Sequence, residues 1–194
     1  MSEEKSREYI LATARQLYAR AVWTHKVHEK DRELWTAKAS TMNHISIYLA
    51  CATTIASVLS VAGASGWHTL LATACLAAAS TGFVLWQSIL DPIGKENRHR
   101  TTAKELLCAR ESLFLLIVRC HIGADSVESL QNSLAAATRE LTTIFRFAPD
   151  TSPEAKQLAG GALKAKDNTF TEDEIDALLP SEFRKVATGT TVVK

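Results

Sequence analysis

The fold is decided by one stretch of this chain, Ala39 to Leu90, which reads ASTMNHISIYLACATTIASVLSVAGASGWHTLLATACLAAASTGFVLWQSIL. Its 52 residues include no Asp, Glu, Lys or Arg, whereas the sequence on either side is dense in charge. A spanning helix needs about 20 apolar residues to cross ~30 Å of hydrocarbon, so the stretch fits two spans. The glycines of Gly63-Ala64-Ser65-Gly66 allow a sharp reversal between them. We therefore predict a transmembrane hairpin at residues 44–90, with spans at 44–64 and 67–87.

The orientation of the hairpin follows from the basic residues beside its spans. Arg20, Lys26, Lys30, Arg32 and Lys38 precede the first span, and Lys95, Arg98, Arg100, Lys104 and Arg110 follow the second. The connecting turn carries no basic residue, so the positive-inside rule places both termini in the cytosol. The expected location is the bacterial inner membrane, as a multi-pass protein with the lipid bilayer as its partner. A buried hairpin in a soluble protein is disfavoured, because the remaining chain is too short to cover two such helices.

The segments outside the hairpin are predicted to be helical, which makes the chain all-α. Residues 1–43 form a cytosolic lead-in helix with a narrow apolar seam, and residues 91–148 form a return helix from Lys95 to His121 followed by an amphipathic helix. The seam is Ile10, Ala14, Leu17 and Ala21, and the amphipathic stripe is Val127, Leu130, Leu134, Ala137, Leu141 and Ile144. We expect these three helices to pack together beneath the membrane, within one subunit or between several. Residues 149–194 form a loose tail with a short helix at 172–179, opened by a Thr171–Glu174 capping box.

Two helix caps and two surface patches complete this prediction. Gly123 is expected to end the return helix, and Asp125 to cap the next. His25 and His28 lie three residues apart and could share a metal ion, but two exposed histidines on a polar helix is the favoured interpretation. Glu96 and Arg100 are expected on a solvated face.

The composition predicts neither catalysis nor a cofactor. The chain has no Gly-rich phosphate loop, HExxH motif, CxxC pair or nucleophile elbow. Cys51, Cys75, Cys108 and Cys120 are scattered, as expected in a reducing compartment, and the charged N-terminus makes a signal peptide improbable. A formal net charge of +1 gives no attraction to nucleic acid. We expect neither an enzyme nor a metal site.

Small residues recur every four positions in both predicted spans. They are Ala52, Ala56 and Ser60 in the first span and Ala74, Ala78 and Gly82 in the second. Rows of this kind let helix backbones approach closely in lipid. The sequence leaves open whether they pack the two spans of one hairpin together or join separate subunits.

Polar residues recur every seven positions in the same spans. They are Ser46, Thr53 and Ser60 in the first span and Thr73, Ser80 and Gln87 in the second. One interpretation is that they line a water path, which requires a homo-oligomer because one hairpin cannot enclose a pore. The other is that their hydroxyl groups bond to carbonyl groups of their own helix.

This layout resembles the SLATT family, the two-transmembrane effector domains associated with nucleotide-synthesising and nucleotide-sensing proteins in bacterial conflict systems. The resemblance spans nearly the whole chain. It rests on the charged lead-in helix, the hairpin from His44 to Gln87, the return helix from Lys95, and the acidic closing helix from Thr171 to Pro180.

The resemblance implies a membrane effector that, once activated, assembles into pores and halts or kills an infected cell. Because no nucleotide-sensing domain is fused to the spans here, we expect the trigger to come from a separate nucleotide-signalling or sensor protein. The alternative function is a non-conducting membrane scaffold that recruits cytosolic partners through its helical arms.

Overall fold

The computed structural model of this chain describes residues 2–62, 66–160 and 170–184. The helices in these ranges are α1 (Glu3–Val61), α2 (Trp67–Leu90), α3 (Pro92–Ile122), α4 (Val127–Phe147), α5 (Pro153–Leu158) and α6 (Glu172–Leu178). A 3-10 turn at Ser181–Phe183 follows α6. The described ranges contain no strand, which confirms the prediction of an all-α fold.

The chain folds into two compact units. The first, the helical domain, comprises Met1–Asp31 and Arg98–Lys194, and the second, the hairpin unit, comprises Arg32–Asn97. Both α1 and α3 contribute residues to each unit. Residues 63–65 of the predicted turn, and the parts of the tail at 161–169 and 185–194, lie outside the described residues.

Helix α1 is continuous because its sequence contains nothing that would interrupt it. No Gly or Pro occurs between Ser2 and Ala62, so every backbone N–H group beyond the first turn can bond within the helix. The lead-in segment therefore runs without a break into the first apolar segment, as the sequence predicts.

The break between α2 and α3 is a single residue, Asp91, in the left-handed conformation (φ 47°). Its N–H group donates to the Gln87 carbonyl and ends α2, while its Oδ1 atom accepts from the Gly94 N–H group, 3.0 Å away, and begins α3. Pro92 then fits the first helical position, where no N–H group is needed. The return helix consequently starts three residues earlier than the predicted Lys95.

The core of the helical domain is built from α1, α3, α4 and α6. Ile10 and Ala14 of α1 lie in one buried cluster with Leu113 and Ile117 of α3, and its other members include Leu106, Leu130, Ala137, Leu141, Ile144, Ile175 and Leu179. The three predicted helices thus pack together within one chain. Burial of this apolar surface is the main contribution to the stability of the domain.

The loops of the helical domain correct two predictions. Ser126, and not Asp125, caps α4, its Oγ atom accepting from the Ser129 N–H group; Asp125 instead accepts a hydrogen bond from Arg119 Nε at 2.7 Å. The helix α5 was not predicted. Gly123 ends α3 with a φ of 74°, as expected, and Thr171 opens α6 with the predicted capping box.

Candidate functional site

The hairpin unit presents apolar side chains to its surroundings along both helices. Helices α1 and α2 are each long and apolar enough to cross a membrane, and no residue of their most apolar windows is buried. The exposed side chains include Ile55, Val58, Leu59, Leu70, Leu71, Val84, Leu85 and Ile89. Monomeric soluble proteins rarely expose an apolar surface of this extent, whereas lipid would cover it without penalty.

The polar stripes of the two helices face each other inside the hairpin. Ser46, Thr53 and Ser60 are half-buried on α1, and Thr73, Ser80 and Gln87 are half-buried on α2. The half-buried positions of α2 follow a 4-3-4-3 spacing, with Leu76 and Phe83 lying between the polar residues. A seven-residue repeat is the period that keeps side chains on the seam between two helices. We call these six polar residues the polar seam.

Hydrogen bonds join the polar seam across the two helices at both ends. Ser46 Oγ donates to Gln87 Oε1 at 2.9 Å, and Gln87 Nε2 donates to Asn43 Oδ1 at 2.7 Å. Towards the other end, the hydroxyl groups of Ser60 and Thr73 lie 3.2 Å apart. Within lipid these bonds satisfy polar groups that would otherwise lack a partner.

Some hydroxyl groups of the polar seam also bond to their own helix, as the sequence allowed. Thr53 Oγ1 donates to the Leu49 carbonyl at 2.8 Å, and the hydroxyl groups of Ser60 and Thr73 each lie within hydrogen-bond distance of the carbonyl group four residues before them. Because each hydroxyl has one proton, only one of these two can donate to its own helix while the other donates across to it. One chain encloses no lumen, so pore lining by these six residues stays a prediction.

The rows of small residues lie mainly on the outside of the hairpin. Ala52 on α1 and Ala74, Ala78 and Gly82 on α2 are exposed, and Ala56 is half-buried. A Cβ atom added at Gly82 would have no neighbour within 4 Å. Most of the row therefore contributes little to packing within one hairpin, and its role in joining subunits stays a prediction.

A second polar cluster lies buried in the helical domain. His28 of α1 is 1% exposed, which corrects the expectation that it lies on a solvated surface, and its Nδ1 atom is 2.9 Å from His99 Nδ1 of α3. Asp31 lies next to this pair, with its Oδ2 atom 4.0 Å from His99 Nδ1. The same carboxylate accepts from the N–H and hydroxyl groups of Ser152, the residue that caps α5.

Burial controls the protonation of the histidine pair. Burial, together with the neighbouring His99 and to a smaller extent His25, lowers the pKa of His28 to about 4, and Asp31 opposes the change. The pKa of His99 is also lowered by burial, again against the effect of Asp31. Both rings are therefore neutral at pH 7, with one ring donating a shared proton to the other.

The histidines do not share a metal ion in the way the sequence suggested. His25 bonds to the Ala103 carbonyl at 2.8 Å while His28 faces His99. Among the described residues, no group of three or more His, Cys, Asp or Glu side chains is placed to hold a metal ion. Glu96, expected on a solvated face, is 7% exposed.

Arg15 ties the acidic helix α6 to α1. Its side chain is buried, forms ion pairs with Glu172 and Asp176, and donates to the Phe183 carbonyl at 2.6 Å. The sequence does indicate that α6 binds a basic side chain, because four acidic residues lie within five positions of it: Glu172, Asp173, Glu174 and Asp176. The basic partner on α1 could not be singled out from the many basic residues nearby.

A model of a known family matches most of this chain. The model of the SMODS and SLOG-associating 2TM effector domain family 4 (SLATT_4) matches residues 10–174, which include both apolar helices and most of the helical domain. Nothing among curated protein sequences or solved structures matches this chain. The residues matched carry the polar seam, the histidine pair and the first three residues of α6.

Proposed function

Because this chain belongs to the SMODS and SLOG-associating 2TM effector domain family 4, we propose that it is a membrane effector of a bacterial defence system. On activation its hairpins assemble in the inner membrane and form a pore or disrupt the bilayer. The loss of the membrane barrier then arrests growth or kills the cell. Both termini remain in the cytosol, in keeping with the basic residues that flank the spans.

The observation that carries this proposal is the polar seam inside an otherwise lipid-facing hairpin. Hydrogen bonds between membrane helices contribute on average only about 0.6 kcal/mol each. The contacts of Ser46 with Gln87 and of Ser60 with Thr73 can therefore be exchanged for contacts with water at small cost. In the closed hairpin Ser46, Gln87, Ser60 and Thr73 have hydrogen-bond partners on the facing helix, and in the assembled state the six residues of the polar seam line the water path.

Assembly uses the exposed row of small residues. Ala74, Ala78 and Gly82 offer a face of α2 on which a second helix can approach closely, and this face is free in the single hairpin. We therefore propose a homo-oligomer in which this face joins neighbouring hairpins while the polar seam opens towards the centre.

The trigger is proposed to be a separate protein. The family is described as SMODS and SLOG-associating, which supports a partner that acts on this chain from outside. Such a partner would engage the helical domain, because the hairpin unit offers mainly apolar side chains.

The experiment that tests the proposal closes the polar seam covalently. Ser60 and Thr73 are replaced by cysteine in a protein whose four native cysteines are alanine, because the two native hydroxyl groups lie 3.2 Å apart. The purified protein is oxidised and reconstituted into dye-loaded vesicles at increasing protein-to-lipid ratios, because a high density of hairpins favours assembly by mass action in the absence of the trigger protein. We expect no leakage when the disulfide is present and leakage after reduction.

Two controls make the result specific. The Ser60→Cys single variant cannot close the polar seam within one hairpin and should leak under oxidising and reducing conditions. Insertion is checked by resistance to alkaline extraction. Leakage from the fully oxidised double variant would contradict an opening of the polar seam, and the absence of leakage and of growth arrest from the reduced protein would contradict pore formation.

One observation favours the scaffold as a second candidate. The helical domain carries large exposed side chains outside the spans, including Leu115 and Phe147, the latter 76% exposed. Such side chains are common at surfaces that bind other proteins. A scaffold would capture its partner while vesicles containing it remained sealed, and replacing Phe147 with serine would weaken that capture.

A further inference from the structure

Two lysines contact the ring of one tryptophan at the base of the hairpin unit. The Nζ atom of Lys38 lies 4.8 Å from the centroid of Trp35, and that of Lys95 lies 4.6 Å from the same centroid. The two ammonium nitrogens are therefore within about 9.4 Å of each other. Lys38 comes from α1 and Lys95 from α3, so the cluster joins the two ends of the hairpin.

Neither of these lysines is held in an ion pair. Neither forms an ion pair or a side-chain hydrogen bond with any residue that the structure describes. The face of the aromatic ring attracts each cation but carries no net charge, so both ammonium groups can still bind an anion.

The lysines lie at the depth of the lipid headgroups if the apolar helices cross a bilayer. At 1.5 Å per residue, Lys38 is about 9 Å before His44, where the first predicted span begins, and Lys95 is about 12 Å beyond Gln87, where the second ends. The headgroup layer extends roughly 5–8 Å from each surface of the hydrocarbon. Lysine side chains reach several ångströms along the helix, and tryptophan rings favour this interface.

We propose that Trp35, Lys38 and Lys95 form a binding site for the phosphate group of an anionic phospholipid. Each ammonium group can turn on its flexible side chain to give the phosphate a charge-assisted hydrogen bond, and contact with the ring of Trp35 keeps the two within about 9.4 Å of each other before the lipid arrives. The occupant is a lipid because the site lies beside the ends of both apolar helices, where headgroups are concentrated. This inference rests on the membrane insertion included in the proposed function, but not on the opening of a pore.

The test is a competition between lipids for the full-length protein in detergent. Phosphatidylglycerol and phosphatidylcholine with matched acyl chains are added together, and the bound lipids are counted by native mass spectrometry. We expect phosphatidylglycerol to be preferred. Lys38→Gln and Lys95→Gln should each weaken this preference about five-fold, since one lysine near a lipid surface contributes an effect of that size.

Matched variants distinguish a site from a general effect of charge. Lys5→Gln with Lys104→Gln removes the same charge from two exposed lysines elsewhere and should leave the preference unchanged. Lys38→Arg with Lys95→Arg keeps the charges and should retain it. The proposal would be overturned if replacing Lys5 and Lys104 with glutamine weakened the preference for phosphatidylglycerol as much as replacing Lys38 and Lys95. It would also be overturned if replacing Lys38 and Lys95 with glutamine did not weaken this preference.

Competition with inorganic phosphate shows whether the site binds the phosphate group of a lipid or a soluble phosphate. An excess of inorganic phosphate should not displace bound phosphatidylglycerol, because it has no acyl chains in the micelle. Displacement at equal occupancy would assign the site to a soluble phosphate and overturn the lipid assignment. Membrane insertion is measured separately by alkaline extraction, and leakage is measured by dye release. A failure of lipid binding would therefore not contradict the proposed pore, which has its own test.

Discussion

His28 and His99 lie with their Nδ1 atoms 2.9 Å apart in the helical domain, where they share one proton between two neutral rings. A second proton would place two N–H groups against each other in a site from which water is excluded. Asp31 lies beside the pair and is held by Ser152. The pair thus links the protonation of two buried rings to the packing of α1 against α3 and of α5 against α1.

The first prediction is that acid weakens the helical domain between pH 6.5 and pH 4. The folded pKa of His28 is about 4, below its ordinary value of 6.5, so the unfolded chain takes up a proton in this range that the folded chain does not. The contribution to the free energy of unfolding is complete above pH 6.5 and is lost as the pH falls towards 4. It is on the order of 3 kcal/mol, at about 1.4 kcal/mol per pH unit.

Thermal unfolding of the detergent-solubilised protein, followed over this pH range, measures the effect. The His28→Gln variant should be less stable at pH 7 and should lose much of the dependence between pH 6.5 and 4. The His44→Gln variant changes an exposed histidine and should keep it. Parallel pH profiles for the wild type and His28→Gln would show that the pair does not control stability.

The second prediction concerns the attachment of α6 by Arg15. Arg15 is buried, but its partners Glu172 and Asp176 are 47% and 18% exposed, so both carboxylates keep access to water when the guanidinium group is removed. Arg15→Met should therefore release α6 and destabilise the helical domain by about 1.5–3 kcal/mol, the usual cost of losing a hydrogen bond to a charged group. Amide hydrogen exchange across Glu172–Leu178 should become fast in this variant while exchange in α4 changes less.

The exposed pair of Arg110 and Glu111 provides the control. Its nitrogen and oxygen atoms lie 2.5 Å apart, with the Glu111 side chain 60% exposed and the Arg110 side chain 29% exposed. Arg110→Met should cost less than about 1 kcal/mol and leave exchange in α6 unchanged. If both arginine variants had equal effects, the burial of Arg15 would not be the cause.

The third prediction concerns Gly94 at the α2–α3 junction. A Cβ atom at this position would lie 2.0 Å from Asp91 Oδ2, so Gly94→Ala forces the carboxylate away from the N–H group that it caps. The expected cost is about 1 kcal/mol, the usual value of a lost helix cap. Gly82→Ala introduces the same methyl group with nothing within 4 Å and should not destabilise α2. Thermal unfolding of the two variants gives the comparison.

Much of the fold could be predicted because it follows from composition and period. Three features of the sequence predict helices directly. They are the uncharged stretch from Ala39 to Leu90, the absence of Gly and Pro before Ala62, and the apolar stripe from Val127 to Ile144. The helix α5 was missed because it has only six residues and no apolar stripe; its start depends on Ser152 and on the distant Asp31. Asp125 was predicted to cap α4 because the sequence does not show that its carboxylate instead accepts a hydrogen bond from Arg119.

In the candidate site, too, the sequence shows a pattern without showing which residues contact each other. The seven-residue spacing of the polar seam was visible, but period alone does not say whether a stripe faces a lumen or the neighbouring helix of the same chain. The burial of His28 could not be predicted from α1, because most of its neighbours along the helix are polar. His99, which contacts it, is 71 residues away in the sequence.

The last prediction tests self-association through the exposed row of small residues. Gly82→Leu places a large side chain on a face of α2 that is open in the single hairpin, so it should not disturb the contacts of Ser60 or Gln87 within that hairpin. If this face joins two copies, the added side chain holds their backbones apart and should reduce cross-linked oligomers in vesicles several-fold. Val84→Leu enlarges another exposed position of α2 and should leave the oligomer fraction unchanged. An oligomer fraction for Gly82→Leu equal to that of the wild type would place the contact between copies on another face of the hairpin.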